Sequence, residues 1–175
     1  DGSQATLSNG FINCAGNFTV DANTSYNIAF TGGTLVMKGS STQYINDLDG
    51  GNLDLFNLTI AKTGGVCYVQ SANLDVNGDL LISGGSLSCN NAPSPTATYN
   101  INIAGTWTNS VGTSGFDEST GRVIFDKPTA GIQSINSTEN FNILECATVS
   151  ATAGIRPAGG VTVSCNVYDW TSGGV

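Results

Sequence analysis

The chain has 175 residues, with 13 acidic against 5 basic residues for a formal charge of −8, no histidine, and a charged fraction of only 10%. Lacking imidazole, it excludes His-based triads, His-ligated zinc and an imidazole proton shuttle, so any catalysis would have to rest on carboxylates. A pI of about 4.1 leaves no basic stripe for phosphate, which argues against nucleic acid and anionic membrane partners, and no apolar run approaches the ~20 residues of a membrane span.

Gly 23, Thr 20, Asn 19 and Ser 18 dominate the composition, while hydrophobic residues still make up 39%. Small polar turn formers with a steady apolar content describe a β-rich packed body rather than a helical bundle or a disordered chain. Taken along the chain, apolar residues alternate strictly at Ile12, Cys14, Phe18 and Val20, at Leu74, Val76, Leu80 and Ile82, and at Tyr99, Ile101, Ile103 and Trp107. A period of two predicts strands. Such segments begin near residues 11, 34, 53, 74, 100, 121, 140 and 161. No window keeps helical spacing for three turns, and Gly-Gly pairs at 32, 50, 64, 84, 159 and 173 punctuate the strands. Gly16, Gly78 and Gly105 recur at one inward-phase position, which becomes Cys165 in the last copy, and mark a corner where the backbone bends or is closely approached.

The chain also repeats itself over a long period. Ile12 to Thr19 matches Ile101 to Thr108 at an offset of 89, Leu74 to Ile82 matches the segment from Val161 at 87, Leu35 to Met37 matches Val123 to Phe125 at 88, and Phe56 to Ile60 matches the segment from Phe141 at 85. These offsets predict two copies of a unit of about 88 residues, one over about 11–98 and a second, truncated, over about 99–175. Short strands that cannot bury a face alone, with no crossover helices between them, are satisfied by coiling the chain so that equivalent strands stack in parallel. The expected fold is therefore all-β, a parallel β-solenoid of about eight coils forming one continuous body over 1–175. An antiparallel β-sandwich is the rival, but it does not explain why distant segments share one inward pattern. The final turn after Val167 stops short of its counterpart and neither end reads as a cap, so a piece of a longer repetitive protein is expected. Cys89 to Thr96, with Pro93 and Pro95, reads as a loop projecting at the midpoint.

Phe56-Asn57-Leu58-Thr59-Ile60, Val76 to Leu87, and Gly121-Arg122-Val123-Ile124-Phe125 followed by Gln133-Ser134-Ile135 resemble the repeats of very large secreted surface proteins of the Bacteroidota, including gliding-motility adhesins exported by the type IX secretion system. The resemblance covers most of the chain. It implies an extracellular, filament-like adhesin attached to the outer membrane, with neighbouring repeats of the same parent protein, a surface polysaccharide or an abiotic surface as partners, and no membrane insertion. Five cysteines and the Pro-containing insertion depart from the usual cysteine-poor repeat.

Candidate sites are few. Cys67 and Cys89 lie 22 residues apart, and Cys146 and Cys165 lie 19 apart, each about one coil, so stacking would offer two disulfides and leave Cys14 over. Asp47, Asp49 and Asp54 form the densest acidic stretch, a candidate for Ca²⁺ that is equally ordinary turn chemistry. Asp117, Glu118 and Asp126 beside Lys127 read as solvated turn charges, and Lys38, Lys62, Arg122, Lys127 and Arg156 are too scattered for a polysaccharide lyase. The threonine pairs Thr96/Thr98 and Thr106/Thr108 do not recur at coil spacing, which weakens an ice-binding reading. The expectation is a non-enzymatic structural and adhesive module with no catalytic residues. The alternative is a carbohydrate-binding or polysaccharide-cleaving β-helix using exposed aromatics such as Tyr44, Tyr68 or Trp170.

Overall fold

A computed structural model describes residues 5–20, 28–48, 51–90, 98–147 and 153–171. The strands, in chain order, are β1 (Ala5–Leu7), β2 (Phe11–Cys14), β3 (Phe18–Val20), β4 (Ile28–Phe30), β5 (Thr34–Gly39), β6 (Gln43–Asp47), β7 (Leu53–Leu55), β8 (Asn57–Gln70), β9 (Leu74–Val76) and β10 (Leu80–Ser88). They continue as β11 (Ile101–Ile103), β12 (Trp107–Asn109), β13 (Phe116–Asp117), β14 (Arg122–Phe125), β15 (Ile132–Ile135), β16 (Glu139–Cys146), β17 (Gly154–Pro157) and β18 (Val163–Trp170). Among the described residues there is no α-helix, and every ladder between named strands is parallel. The fold is a parallel β-solenoid.

Each coil has three faces. The first carries β7, β9, β11 and β14, continued by the second halves of β16 and β18. The second carries β2, β5, the start of β8 and of β10, then β12, β15 and β17. The third carries β3, β6, the far ends of β8 and β10, and β13. Period two puts alternate residues inside, and parallel register stacks them into rows. One row on the first face is Leu53, Leu74, Ile101, Val123, Leu144 and Tyr168. Its equivalent on the second face is Ile12, Leu35, Leu58, Leu80, Trp107, Ile135 and Pro157. Leu35, Leu58, Leu80, Trp107 and Ile135 are fully buried.

The structure has about six turns, not the eight expected from the strand spacing. Segments starting near 11 and 34 belong to the second face, whereas those near 53, 74, 100 and 121 belong to the first, so counting segment starts mixes faces. Counted on the second face alone, β2 to β17 climbs six strand-to-strand steps, about 29 Å at ~4.8 Å each.

Register also sets the phase of the duplication. The residue that stacks over Ile12 is Trp107, not Ile101, and the one over Leu74 is Tyr168, not Val161. Leu35 is on the second face and its match Val123 on the first. Each matched pair is therefore displaced by one face, because the repeating unit closes about a third of a turn short of four coils. The equivalence still extends to the interior. Gln43 Nε2 donates to the carbonyls of Cys14 and Gly16, and Gln133 Nε2 donates to those of Ile103 and Gly105, the corresponding pair in the matched copy.

The recurrent glycines at 78 and 105 are places of close approach. A Cβ on Gly105 would lie 2.3 Å from the Gly78 carbonyl oxygen, whereas one on Gly16 would meet nothing within 4 Å. Gly105→Ala is expected to destabilise the fold by about 1–3 kcal/mol through forced displacement of the coil below, and Gly16→Ala to stay within ~0.5 kcal/mol of the parent. Urea denaturation of the two variants checks this, and equal midpoints would refute the close-packing account.

Candidate functional site

The cysteine pairs do not form. Cys67 stacks on Leu87, so Cys89 lies two residues further along its strand, an offset that places the two Cα atoms about 8 Å apart, beyond the ~4.4–6.8 Å span of a disulfide. Cys146 stacks on Trp170 and Cys165 on Phe141, five residues along β16, which separates that pair by about 16 Å. All five thiols are free. Burial pushes the Cys67 thiol up to about 12 and raises that of Cys89 still further, so both are inert packing groups. Cys165, by contrast, is exposed. Alkylation without reductant is expected to modify all five cysteines in denaturant, and Cys165 well ahead of Cys67 and Cys89 in native buffer. A count below five in denaturant would restore a bridge.

The acidic stretch is split by the fold. Asp47 ends β6 on the buried, inward phase and Asp54 is exposed on β7, while Asp49 lies outside the described residues. Among the described residues no group of three or more Cys, Asp or Glu is arranged to hold a metal ion. Asp54 instead stacks beside Asp75, which stacks on Asn102, on the outer side of the first face. Burial, with repulsion from Asp126 and Asp54 adding to it, pushes the Asp75 carboxyl up to about 6. Because its folded pKa is raised, Asp75 favours the folded state fully below its unfolded value of ~4, and that contribution is lost as pH rises through about 6. Asp75→Asn should therefore raise the Tm at pH 7 and flatten its fall between pH 4 and pH 6. A lowered Tm at pH 7 would refute the assignment.

Three polar groups are organised among the described residues in ways that sequence reading missed. Lys62, assigned above to the scattered bases, is buried, and its Nζ donates to the Ser41 carbonyl and to Gln43 Oε1. Burial lowers its pKa. Glu139 is fully buried, its Oε2 accepting from Trp107 Nε1 at 3.1 Å and Asn109 Nδ2 at 2.8 Å, and burial raises its pKa against those bonds. Trp107 in turn packs edge-on to Phe116 and Phe141 at 4.8 and 5.3 Å. Arg122 pairs with Glu145 and, at 3.0 Å, with Asp169 on the first face. Nothing in composition distinguishes Lys62 or Glu139 from a solvated charge; only their inward phase could have done so.

Of the aromatics named above, Tyr44 and Tyr68 stack on the outer side of the third face with centroids 5.9 Å apart, and Trp170 lies half exposed on β18 beside Tyr168. They do not share a cleft. A groove lies on the second face, with a volume of about 450 Å³. Two outward rows two residues apart line it. One is Thr34, Asn57, Asp79 and Thr106, and the other includes Thr59, Leu81 and Thr108, with Asn136 at the upper end. Asn57 and Asp79 hold the corner, since Asn57 Oδ1 accepts from the Asp79 backbone N–H and Asp79 Oδ1 from that of Thr106, each at 2.8 Å. This stacking repeats one local solution coil after coil, leaving the hydroxyl row level.

Architecture and surface together define a parallel β-solenoid with three chemically distinct faces and a polar groove on the second of them. No protein family, curated protein or solved structure matches the chain.

Proposed function

We propose that the chain is a structural and adhesive module of a large extracellular surface protein of the kind its repeats resemble, giving reach and multivalent contact with a surface or glycan. The observation that carries this reading is the exposure of the inward side chains on β18. β18 is the last strand in its sheet order and presents Tyr168 and Trp170 at 50 and 53% exposure, although the same rows are buried one coil earlier at Leu144 and Cys146. A parallel edge with exposed inward-phase side chains is a template for further coils. Neighbouring repeats stacked on it would extend a rod whose length grows by ~4.8 Å per coil, and an array of such rods binds by multivalency even where one contact is weak.

Sedimentation of the isolated chain tests the stacking. Association should strengthen with concentration and be abolished by Tyr168→Lys with Trp170→Lys, while the circular dichroism of the variant remains that of a β-protein. A monomer at all concentrations for both proteins would remove the support. Beads bearing one, two or four fused copies should be retained on a polysaccharide film more than in proportion to copy number.

A further inference from the structure

The groove on the second face has a feature that its volume alone does not convey. Phe11, the most exposed large hydrophobic residue described, at 71%, stacks in register beside Thr34. The outward row therefore runs Phe11, Thr34, Asn57, Asp79, Thr106, with an open aromatic ring at one end and a polar trough above it. No other described residue takes up the side-chain hydroxyls of Thr34, Thr59, Thr106 and Thr108. From Thr34 to Asn136 the lining crosses four coil steps, about 19 Å.

We propose that this groove binds a neutral, linear polysaccharide laid along the solenoid axis, with a sugar ring resting on Phe11. The proposal rests on the adhesive reading above and names its ligand class and contact surface. Threonine hydroxyls and an asparagine amide donate and accept, as sugar hydroxyls require, and Leu81 and Phe11 give apolar surface for the C–H faces of pyranose rings. An extended pyranose chain advances by roughly one strand spacing per sugar, on the order of 5 Å, so successive sugars would meet successive coils. Charge fixes the class. Asp79 sits in the trough, no base lines it, and the chain carries a net −8, so a polyuronate or sulfated glycan would be repelled.

Native gels containing hydroxyethylcellulose or laminarin, with polygalacturonate as the anionic comparison, test this against polymer-free gels. The parent chain should be retarded by at least one neutral polymer and not by polygalacturonate. Phe11→Ala, and separately Thr59→Lys with Thr108→Lys, should weaken that retardation by about tenfold or more in apparent affinity, as expected for losing a buried polar or aromatic contact. These side chains point outward, and unchanged circular dichroism verifies folding. Should the lysine pair melt, Phe11→Ala alone decides, since its ring is open to solvent. Retardation by polygalacturonate alone, none by any neutral polymer, or equal retardation of parent and variants would overturn the proposal. Sedimentation separates the two readings, because the groove variants should still stack end to end: a parent chain that stacks but is retarded by no neutral polymer overturns the groove and leaves the rod.

Discussion

Everything in this molecule depends on rung-upon-rung burial of the inward rows. A strand of three to six residues has too little apolar surface to stand alone, and here each gains its cover only from the coil before and the coil after. In the middle of the stack the cover is complete, as at Leu58, Leu80 and Trp107. At β18 it is one-sided, and Tyr168 and Trp170 emerge although they occupy the rows of Leu144 and Cys146. Stability in such a stack approximates a sum of nearest-neighbour terms, so a defect in one rung weakens its neighbours and spares distant coils.

Apolar rows hold the coils together without saying which rung stacks on which, because many registers would bury comparable surface. The buried polar groups supply that information. Gln43 ties β6 to the carbonyls of Cys14 and Gly16 in the coil below while receiving Lys62 from the coil above, so three successive coils meet at one amide. Gln133 repeats half of the device at Ile103 and Gly105. Glu139 locks the Trp107 indole and the Asn109 amide from the neighbouring coil. A slipped register would leave these donors without acceptors, at about 1–3 kcal/mol for each stranded group, while the hydrophobic term would barely change. The polar interior thus acts mainly on uniqueness, at some expense in net stability.

Alternation made the strands and the parallel stack legible in the sequence, and the repeat made the solenoid preferable to a sandwich. Phase was not legible. Every corner of a three-sided coil shows the same inward and outward alternation, so Ile12 aligns as well with Ile101 on another face as with Trp107 above it. The same ambiguity inflated the coil count and suggested the cysteine pairs, since a spacing near one coil does not fix register to within two residues. The groove was hidden for a related reason. Its members Thr34, Asn57, Asp79 and Thr106 are separated by 23, 22 and 27 residues, because corners of unequal length intervene. Thr106 and Thr108 looked isolated in the sequence, yet the fold sets them level with Asn57 and Thr59.

Because variation in length is absorbed at corners, the three faces can differ in chemistry while sharing one core. The first gathers Asp54, Asp75, Asp126, Glu145 and Asp169, with Arg122 the base paired among them. The second carries the hydroxyl-rich groove with Asp79 in its trough, and the third carries the stacked tyrosines. An acidic flank would repel the same flank of another copy and discourage side-by-side association, whereas β18, at the edge of its sheet among the described residues, offers the exposed side chains of Tyr168 and Trp170. On the proposed reading, like charge along the sides and open rungs at the ends would select the same geometry: growth along the axis, with a face left uncovered for contact. Segregating charge from the stacking surface in this way would let a strongly acidic, edge-bearing β-protein extend lengthwise, as proposed, without the lateral aggregation that exposed strands otherwise invite.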